Sequence, residues 1–361
     1  MKPKNRIRKK RAFMVCLLSA VLCLSSGLPS RAEAEKQQKD EISEYGTYRV
    51  GERETGQVDL LTGRLCLEQT DLPGGKESPV EFVRYYVSGS TYSEDEDNPA
   101  GAGMYWTHNY CYSASVYEGD IVIQLPGELS QNWQKVYAEG WISTNAPSYT
   151  LEEQGDGYLL TGPDGETVFF HRSGLATELT GADGETVKLS YEDGKLSRAD
   201  LEDGYLEFEF SGDDLTAVTD SAGNRIDYSY DEKENLVSAV REEEWSRQYL
   251  YDENGEEKGE HDLVSVLDEE GRQLLEAEYE SVSSMPSAYG RSVVYLATED
   301  QPACTFSYEY YDGIHTCMNA DGSSLVLNFD QEAGYPEYYV WNWCDSQGTV
   351  MRRVKTEGVL F

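Results

Sequence analysis

The sequence predicts an all-β protein: a curved antiparallel ribbon of stacked hairpins, preceded by a smaller β-rich capping region. Three observations carry this reading. Apolar residues recur with period two in short runs that end on an aromatic, the spacing of a strand with one dry face. Asp-, Asn- and Gly-rich turns separate the runs, and these residues supply the caps and positive φ that tight hairpins need. Almost no stretch has the period of an amphipathic helix. Tyr is the commonest aromatic, with 27 residues; its apolar ring and polar tip suit strands that are dry on one face and wet on the other.

The first 34 residues have a different chemistry. "MKPKNRIRKKRA" is basic, residues 13–28 are apolar, and Ala32 and Ala34 supply small residues in an A-x-A pattern. This is the form of a secretory signal peptide cut after Ala34, which predicts a secreted or envelope-associated chain. The apolar run is short for a bilayer span, and Leu22 before Cys23 does not fit a lipoprotein signal. No later stretch is apolar enough to cross a membrane. Residues 35–45 read as a polar leader.

The chain has 30 basic and 67 acidic residues, a net charge of −37. Eight of the basic residues and one acidic residue lie in the first 34, so signal removal leaves −44. Such a surface repels phosphate backbones and anionic lipid, which excludes nucleic acid as a natural partner. It suits a cationic partner or a divalent cation, and it also serves solubility alone.

Residues 46–150 form the expected capping region, covering the edge on which an array over 151–361 would start. The array is read from runs that end in an aromatic anchor: Phe170, Tyr191, Phe210, Tyr230, Tyr251, Tyr279, Tyr310 and Phe329. Successive anchors fall 21, 19, 20, 21, 28, 31 and 19 residues apart, so the two long gaps mark loop insertions. Each unit reads strand, turn, strand, turn. A lone hairpin is not stable, so several must share ladder bonds and one buried face.

These units resemble the YD repeats of the Rhs family. "YEDGKL" from Tyr191, "YDEKENL" from Tyr230 and "YDENG" from Tyr251 match the Tyr-Asp half of the pattern, and "DSAG" from Asp220 and "DEEG" from Asp268 match the Asp-x-x-Gly half. Upstream, "VDLLTGRLCLEQTDLPG" (58–74), "FVRYYVSGS" (82–90) and "GAGMYWTHNY" (101–110) resemble the segment that precedes such arrays, although Met104 and Tyr105 interrupt its Gly-x-Gly-Trp corner. The resemblance implies a scaffold. Family members are typically shells around a C-terminal toxin, with an Asp-Pro-x-Gly motif that this sequence lacks.

Motifs for chemistry are sparse. His108, His171, His261 and His315 share no metal spacing, and no G-x-S-x-G or P-loop occurs. Within "SEDEDNPAGAG" (93–103), Asp95, Asp97 and Asn98 are a candidate Ca²⁺ set, against a solvated acidic loop. Trp133, Trp141, Trp341 and Trp343 are candidates for stacking on sugar rings, against packing within strands. Cys66, Cys111, Cys304, Cys317 and Cys344 lie beyond the signal segment. A Cys304–Cys317 bridge competes there with scattered buried thiols, and the second is preferred. The expectation is a secreted, non-enzymatic scaffold that presents an acidic β-surface to a protein or glycan of the cell envelope, with no cofactor beyond that calcium. The alternatives are the first part of an Rhs-type toxin shell, split or truncated, and a carbohydrate-binding or carbohydrate-active protein.

Overall fold

A computed structural model describes residues 47–49, 54–75, 80–89, 101–117, 119–127, 130–136, 140–143, 145–146, 148–252, 259–281, 291–299, 301–309, 312–329 and 338–357. The signal segment, the leader, the calcium set Asp95, Asp97 and Asn98, and the anchor Tyr310 lie outside these residues.

All regular structure among them is β-strand, in three antiparallel sheets. The first sheet runs β1 (Thr47–Arg49), β2 (Glu54–Asp59), β3 (Arg64–Pro73), β4 (Glu81–Val87), β5 (Trp106–His108). A second, smaller sheet runs β6 (Ser113–Val116), β7 (Asp120–Gln124), β8 (Gln131–Val136), β9 (Gly140–Ser143). The third has 19 strands in strict chain order. It starts with β10 (Thr150–Gln154), β11 (Gly157–Thr161), β12 (Thr167–His171), β13 (Ala176–Thr180), β14 (Thr186–Glu192), β15 (Lys195–Leu201) and β16 (Gly204–Ser211). It continues through β17 (Asp214–Asp220), β18 (Arg225–Tyr230), β19 (Leu236–Arg241), β20 (Trp245–Tyr251), β21 (Leu263–Leu267) and β22 (Gln273–Ser281). It ends with β23 (Arg291–Thr298), β24 (Gln301–Glu309), β25 (Ile314–Asn319), β26 (Ser324–Phe329), β27 (Tyr338–Cys344) and β28 (Val350–Glu357). This sheet does not close into a barrel.

The anchors mark a recurring irregularity. The ladder shifts register at Phe170, Tyr191, Phe210, Tyr230, Tyr251 and Tyr279, so the strand that follows each carries one extra residue. A bulge bends and twists its strand, and one at every second turn makes a long ribbon curl. Phe170 is fully buried, and Tyr191, Phe210, Tyr230, Tyr251, Tyr279 and Phe329 pack against the core from its margin.

At four of these bulges, those at Phe210, Tyr230, Tyr251 and Tyr279, a tyrosine of the next unit bonds a carbonyl of the bulged strand. Tyr230 donates to Leu215 O at 2.7 Å, Tyr251 to Leu236 O at 2.9 Å and Tyr279 to Leu263 O at 3.2 Å. Leu215, Leu236 and Leu263 face the preceding anchors across their bulges. Tyr308 continues the series to Val293 O at 2.8 Å. In that unit the bond therefore comes from Tyr308, two residues before the anchor that the sequence suggests; β24 and β25 pair there without a bulge, and the count shifts by one side-chain period.

The opposite turns close on themselves. In Asp220–Gly223 and Asp268–Gly271 the Gly amide donates to the Asp carbonyl at 3.0 Å. The Asp side chain accepts two more backbone amides, Ala222 and Asn224 in one case and Glu270 and Arg272 in the other. Gly223 and Gly271 hold φ of 91° and 77°, where only glycine is unstrained. Asp345–Gly348 repeats this turn, although its "DSQG" follows no Tyr-Asp unit in the sequence.

Candidate functional site

The first sheet does not sit at the starting edge of the array. Its contacts run across one face of the large sheet, from β16 to β25, and both belong to one continuous core. Phe82 meets Phe208 edge-on at 6.0 Å, Gly63 O accepts from Val293 N at 2.8 Å, and Leu60 O lies 2.5 Å from His315 Nδ1. Only the second sheet lies near the start, where β9 runs beside β10. Within the expected capping region, the first sheet is thus a brace laid along the ribbon, while the second sheet lies at the starting edge. The reason is geometric: a curled sheet exposes an apolar inner face far larger than its first edge, and that face must be buried.

At the centre of the contact is a buried polar cluster. Asp71 is the extra residue of a bulge between β3 and β4, and Arg84 stands opposite Gln69 in β4. Asp71 is 0% and Arg84 1% exposed. Arg84 grips Asp71 with two bonds, Nε to Oδ2 at 2.5 Å and Nη2 to Oδ1 at 3.1 Å. The array completes the cluster: Tyr228 donates to Asp71 Oδ2 at 2.6 Å, Arg84 Nη2 donates to Tyr249 OH at 2.9 Å, and Tyr249 in turn donates to Gln69 Oε1. The guanidinium also lies 4.8 Å from the Trp106 ring centroid and 5.0 Å from that of Tyr228.

Burial opposes the charge on Arg84, but Asp71, together with Tyr249 and Tyr228, more than offsets it, so its pKa is held well above the ordinary value. Burial, and then the neighbouring Asp71 charge, push Tyr228 the other way from ionisation, well above 10.0. The cluster is therefore one fixed ion pair with neutral phenols around it. A buried pair adds little net stability, because desolvation offsets its attraction, yet losing one partner is costly. Its effect is to admit one register between brace and array.

Further bonds repeat the theme. Arg247 Nε meets the buried Glu54 at 2.6 Å. Tyr86 donates to His261 O and accepts from Leu263 N, both at 2.9 Å. Trp106 Nε1 donates to Tyr251 OH at 2.9 Å. The corner before Trp106 is strained as well as interrupted: Tyr105, a buried aromatic, holds φ of 64°, a rare conformation for a bulky side chain. Gly101 and Gly103 flank it with their backbones against the array, where Gly101 O accepts from Leu215 N at 2.7 Å.

Three of the four candidate tryptophans are placed inside rather than on the surface. Trp133, Trp341 and Trp343 are 2%, 1% and 6% exposed, so they offer no ring face for a sugar. Trp141 is half-buried, with Tyr158 edge-on at 5.9 Å and Lys135 Nζ 5.6 Å from its centroid. For Trp133, Trp341 and Trp343 the stacking expectation is corrected accordingly: alternation put these rings on the dry face of their strands. The histidines are spread as well. His108 is fully buried, accepts from Tyr110 N through Nδ1 at 3.2 Å and stacks near Phe208. Burial, then the Arg84 charge, lower its pKa to about 3, so it stays neutral. Among the described residues no three His, Cys, Asp or Glu gather as a metal site. The five cysteines are all unbridged thiols, and burial pushes Cys111 up to about 12.

Asp71, Arg84, Gln69, Glu54 and Arg247 were not singled out by sequence. The available signal was the lone Arg84 inside the apolar run "FVRYYV", since a charge on an otherwise dry strand must be paired.

Fold and cluster together define a class: an open β-array braced along one face by a separate sheet. Residues 55–128, most of that brace and the start of the second sheet, match the family model described as a domain of unknown function, DUF6531. The matched segment contains the stretches that resemble the Rhs region before the array, and the match fits an Rhs-like protein. No curated protein matches the chain. Among solved structures it is similar to a TcdB2-TccC3-Cdc42 complex, at 10% identity over 84% of this chain and 20% of that one, with a TM-score of 0.31. It is also similar to the Photorhabdus luminescens Tc holotoxin pore, at 11% identity over 86% of this chain and 22% of that one, with a TM-score of 0.26. The chain spans about a fifth of the length of the structures it matches.

Proposed function

We propose that this chain is a secreted, non-catalytic YD-repeat scaffold related to Rhs shells. The first sheet braces the hairpin wall from within, and the outer face presents an acidic surface to a protein or glycan of the cell envelope. The observation that supports this reading is how the buried charges are used. Asp71, Arg84, Glu54 and Arg247 are each bonded between brace and array. A catalytic group must reach a substrate; these are engaged by one another and by Tyr228, Tyr249 and Glu269. On the outer face, exposed pairs such as Arg225–Glu209 and Arg198–Glu207 form charged ladders. Such pairs contribute little stability, but they keep the face hydrated and open to charged partners.

Export rests on the basic and apolar segment that ends at Ala34. A calcium ion on Asp95, Asp97 and Asn98 is part of the proposal; calorimetric titration with calcium checks it, and heat no greater than buffer removes it. The scaffold itself is tested by titrating labelled mature chain onto isolated envelopes of the producing cell. Saturable, salt-sensitive binding is expected. Absence of binding, or turnover of envelope glycan by the chain, overturns the reading.

A further inference from the structure

Four arginines are buried among the described residues: Arg64, Arg84, Arg241 and Arg247. Three of them meet a carboxylate, Arg84 that of Asp71, Arg241 that of Glu244 and Arg247 that of Glu54. Arg64, the first residue of β3, meets none among the described residues. Its Nε and Nη1 are buried and have no hydrogen-bond partner. Asp59 stands opposite it in the β2–β3 ladder but turns to the hairpin loop: Oδ1 accepts from Leu61 N at 2.9 Å and Oδ2 from Thr62 Oγ1 at 2.6 Å.

A guanidinium offers donors only, and a buried charge is costly unless it is paired. Burial lowers the Arg64 pKa, and the Asp59 charge, then Cys66 and Tyr105, only partly offset this. The local excess of donors extends across the seam. Ser292 Oγ is fully buried without a partner. It lies against Gly63, the residue before Arg64, where an added Cβ would fall 2.3 Å from it. Gly63 O accepts from Val293 N at 2.8 Å, so this turn is also where β23 is bonded to the brace.

We propose that the Arg64 guanidinium binds a small oxyanion where the β2–β3 turn meets β23. A carboxylate or phosphate oxygen would accept from the free guanidinium donors in charge-assisted bonds. It would also supply the negative charge that the surroundings lack; water satisfies a donor but brings no charge. Arg64 keeps 9% exposure, which leaves the ion a way in. The net charge of −37 repels anions at long range, so a weak site is expected rather than a tight one. The site belongs to the brace, apart from the acidic outer face, and stands or falls independently of envelope binding.

The probes are sodium phosphate and sodium acetate, each titrated into the full chain with ionic strength held constant by sodium chloride. The direct readout is the Arg64 Nε–H resonance in protein carrying isotope-labelled arginine, assigned by its loss in Arg64→Met and Arg64→Lys. A saturable shift with at least one of the two ions is expected, with a Kd of about 1 mM; the two arms show whether carboxylate or phosphate is preferred. The urea midpoint should rise with that ion in the parent and stay level in Arg64→Met. Without the ion, Arg64→Met should be at least as stable as the parent, because an apolar chain replaces an unpaired buried charge. Arg64→Lys keeps the charge but not the planar fork and should weaken the midpoint response about tenfold in ion concentration. An Arg64 resonance that neither ion moves up to about 20 mM overturns the proposal. So does an equal rise of the midpoint in Arg64→Met, which would be the general salt effect of phosphate.

Discussion

The Tyr230 hydroxyl donates to the Leu215 carbonyl at 2.7 Å, and Leu215 is the residue that faces Phe210 across the preceding bulge. One unit thus finishes the hydrogen bonding of the unit before it. The bond couples neighbouring bulges and carries the curl of the sheet from hairpin to hairpin.

Removing a single hydroxyl should be felt. Tyr230→Phe leaves a half-buried carbonyl unsatisfied and should cost about 1–2 kcal/mol in urea unfolding. Tyr251→Phe should cost more, since that oxygen also accepts from Trp106 Nε1. Tyr308→Phe should behave like Tyr230→Phe. Losses within about 0.5 kcal/mol in all three variants would mean that these hydroxyls do not couple the units.

The Asp71–Arg84 pair should show strong coupling. Asp71→Leu or Arg84→Met alone strands a buried charge and should cost about 3–5 kcal/mol. The loss in the double variant should fall short of the sum of the two single losses by at least about 1 kcal/mol. Additive losses would mean the two groups act independently of one another.

Glycines with the same backbone should differ by their surroundings. Gly174 and Gly223 both hold φ of 91°. A Cβ at Gly223 meets nothing within 4 Å, but at Gly174 it would lie 1.9 Å from Ala114 O. Gly223→Ala should cost about 1–2 kcal/mol from backbone strain alone. Gly174→Ala should cost clearly more and loosen the join between β6 and the array, seen as faster cleavage near residue 114 in limited proteolysis.

Two buried groups set opposing pH slopes. Burial raises the Asp262 pKa from 3.8 to about 7, a rise that the Arg291 charge partly offsets. The folded chain holds this proton more tightly than the unfolded one. Stability is therefore withheld progressively as pH rises from about 4 to 7 and is constant above, with an upper limit of roughly 4 kcal/mol. His108, lowered from 6.5 to about 3, acts in reverse and withdraws stability as pH falls below 6.5. Asp262→Asn should remove the first slope and keep the second, read from urea midpoints at successive pH values. An unchanged slope between pH 4 and 7 would refute the assignment to Asp262.

Much of the fold was legible in the chain because its information is local. Period-two alternation marks which face of each strand is dry, and the glycines at 223 and 271 mark turns that need positive φ, so hairpins follow from neighbours alone. Strand order was legible for the same reason: each hairpin in the array pairs with the next. The placement of the brace was not. Asp71 and Tyr228 are far apart in sequence, and no period relates them; only the curl of the finished sheet brings the carboxylate and the hydroxyl within 2.6 Å. The tryptophans show the same limit, since alternation gives the face on which Trp341 and Trp343 lie but not what covers it. Sequence determined the hairpins, because strand and turn are settled over a few residues. Tertiary structure decided which buried face meets which, because burial depends on surfaces that exist only once the ribbon has curved.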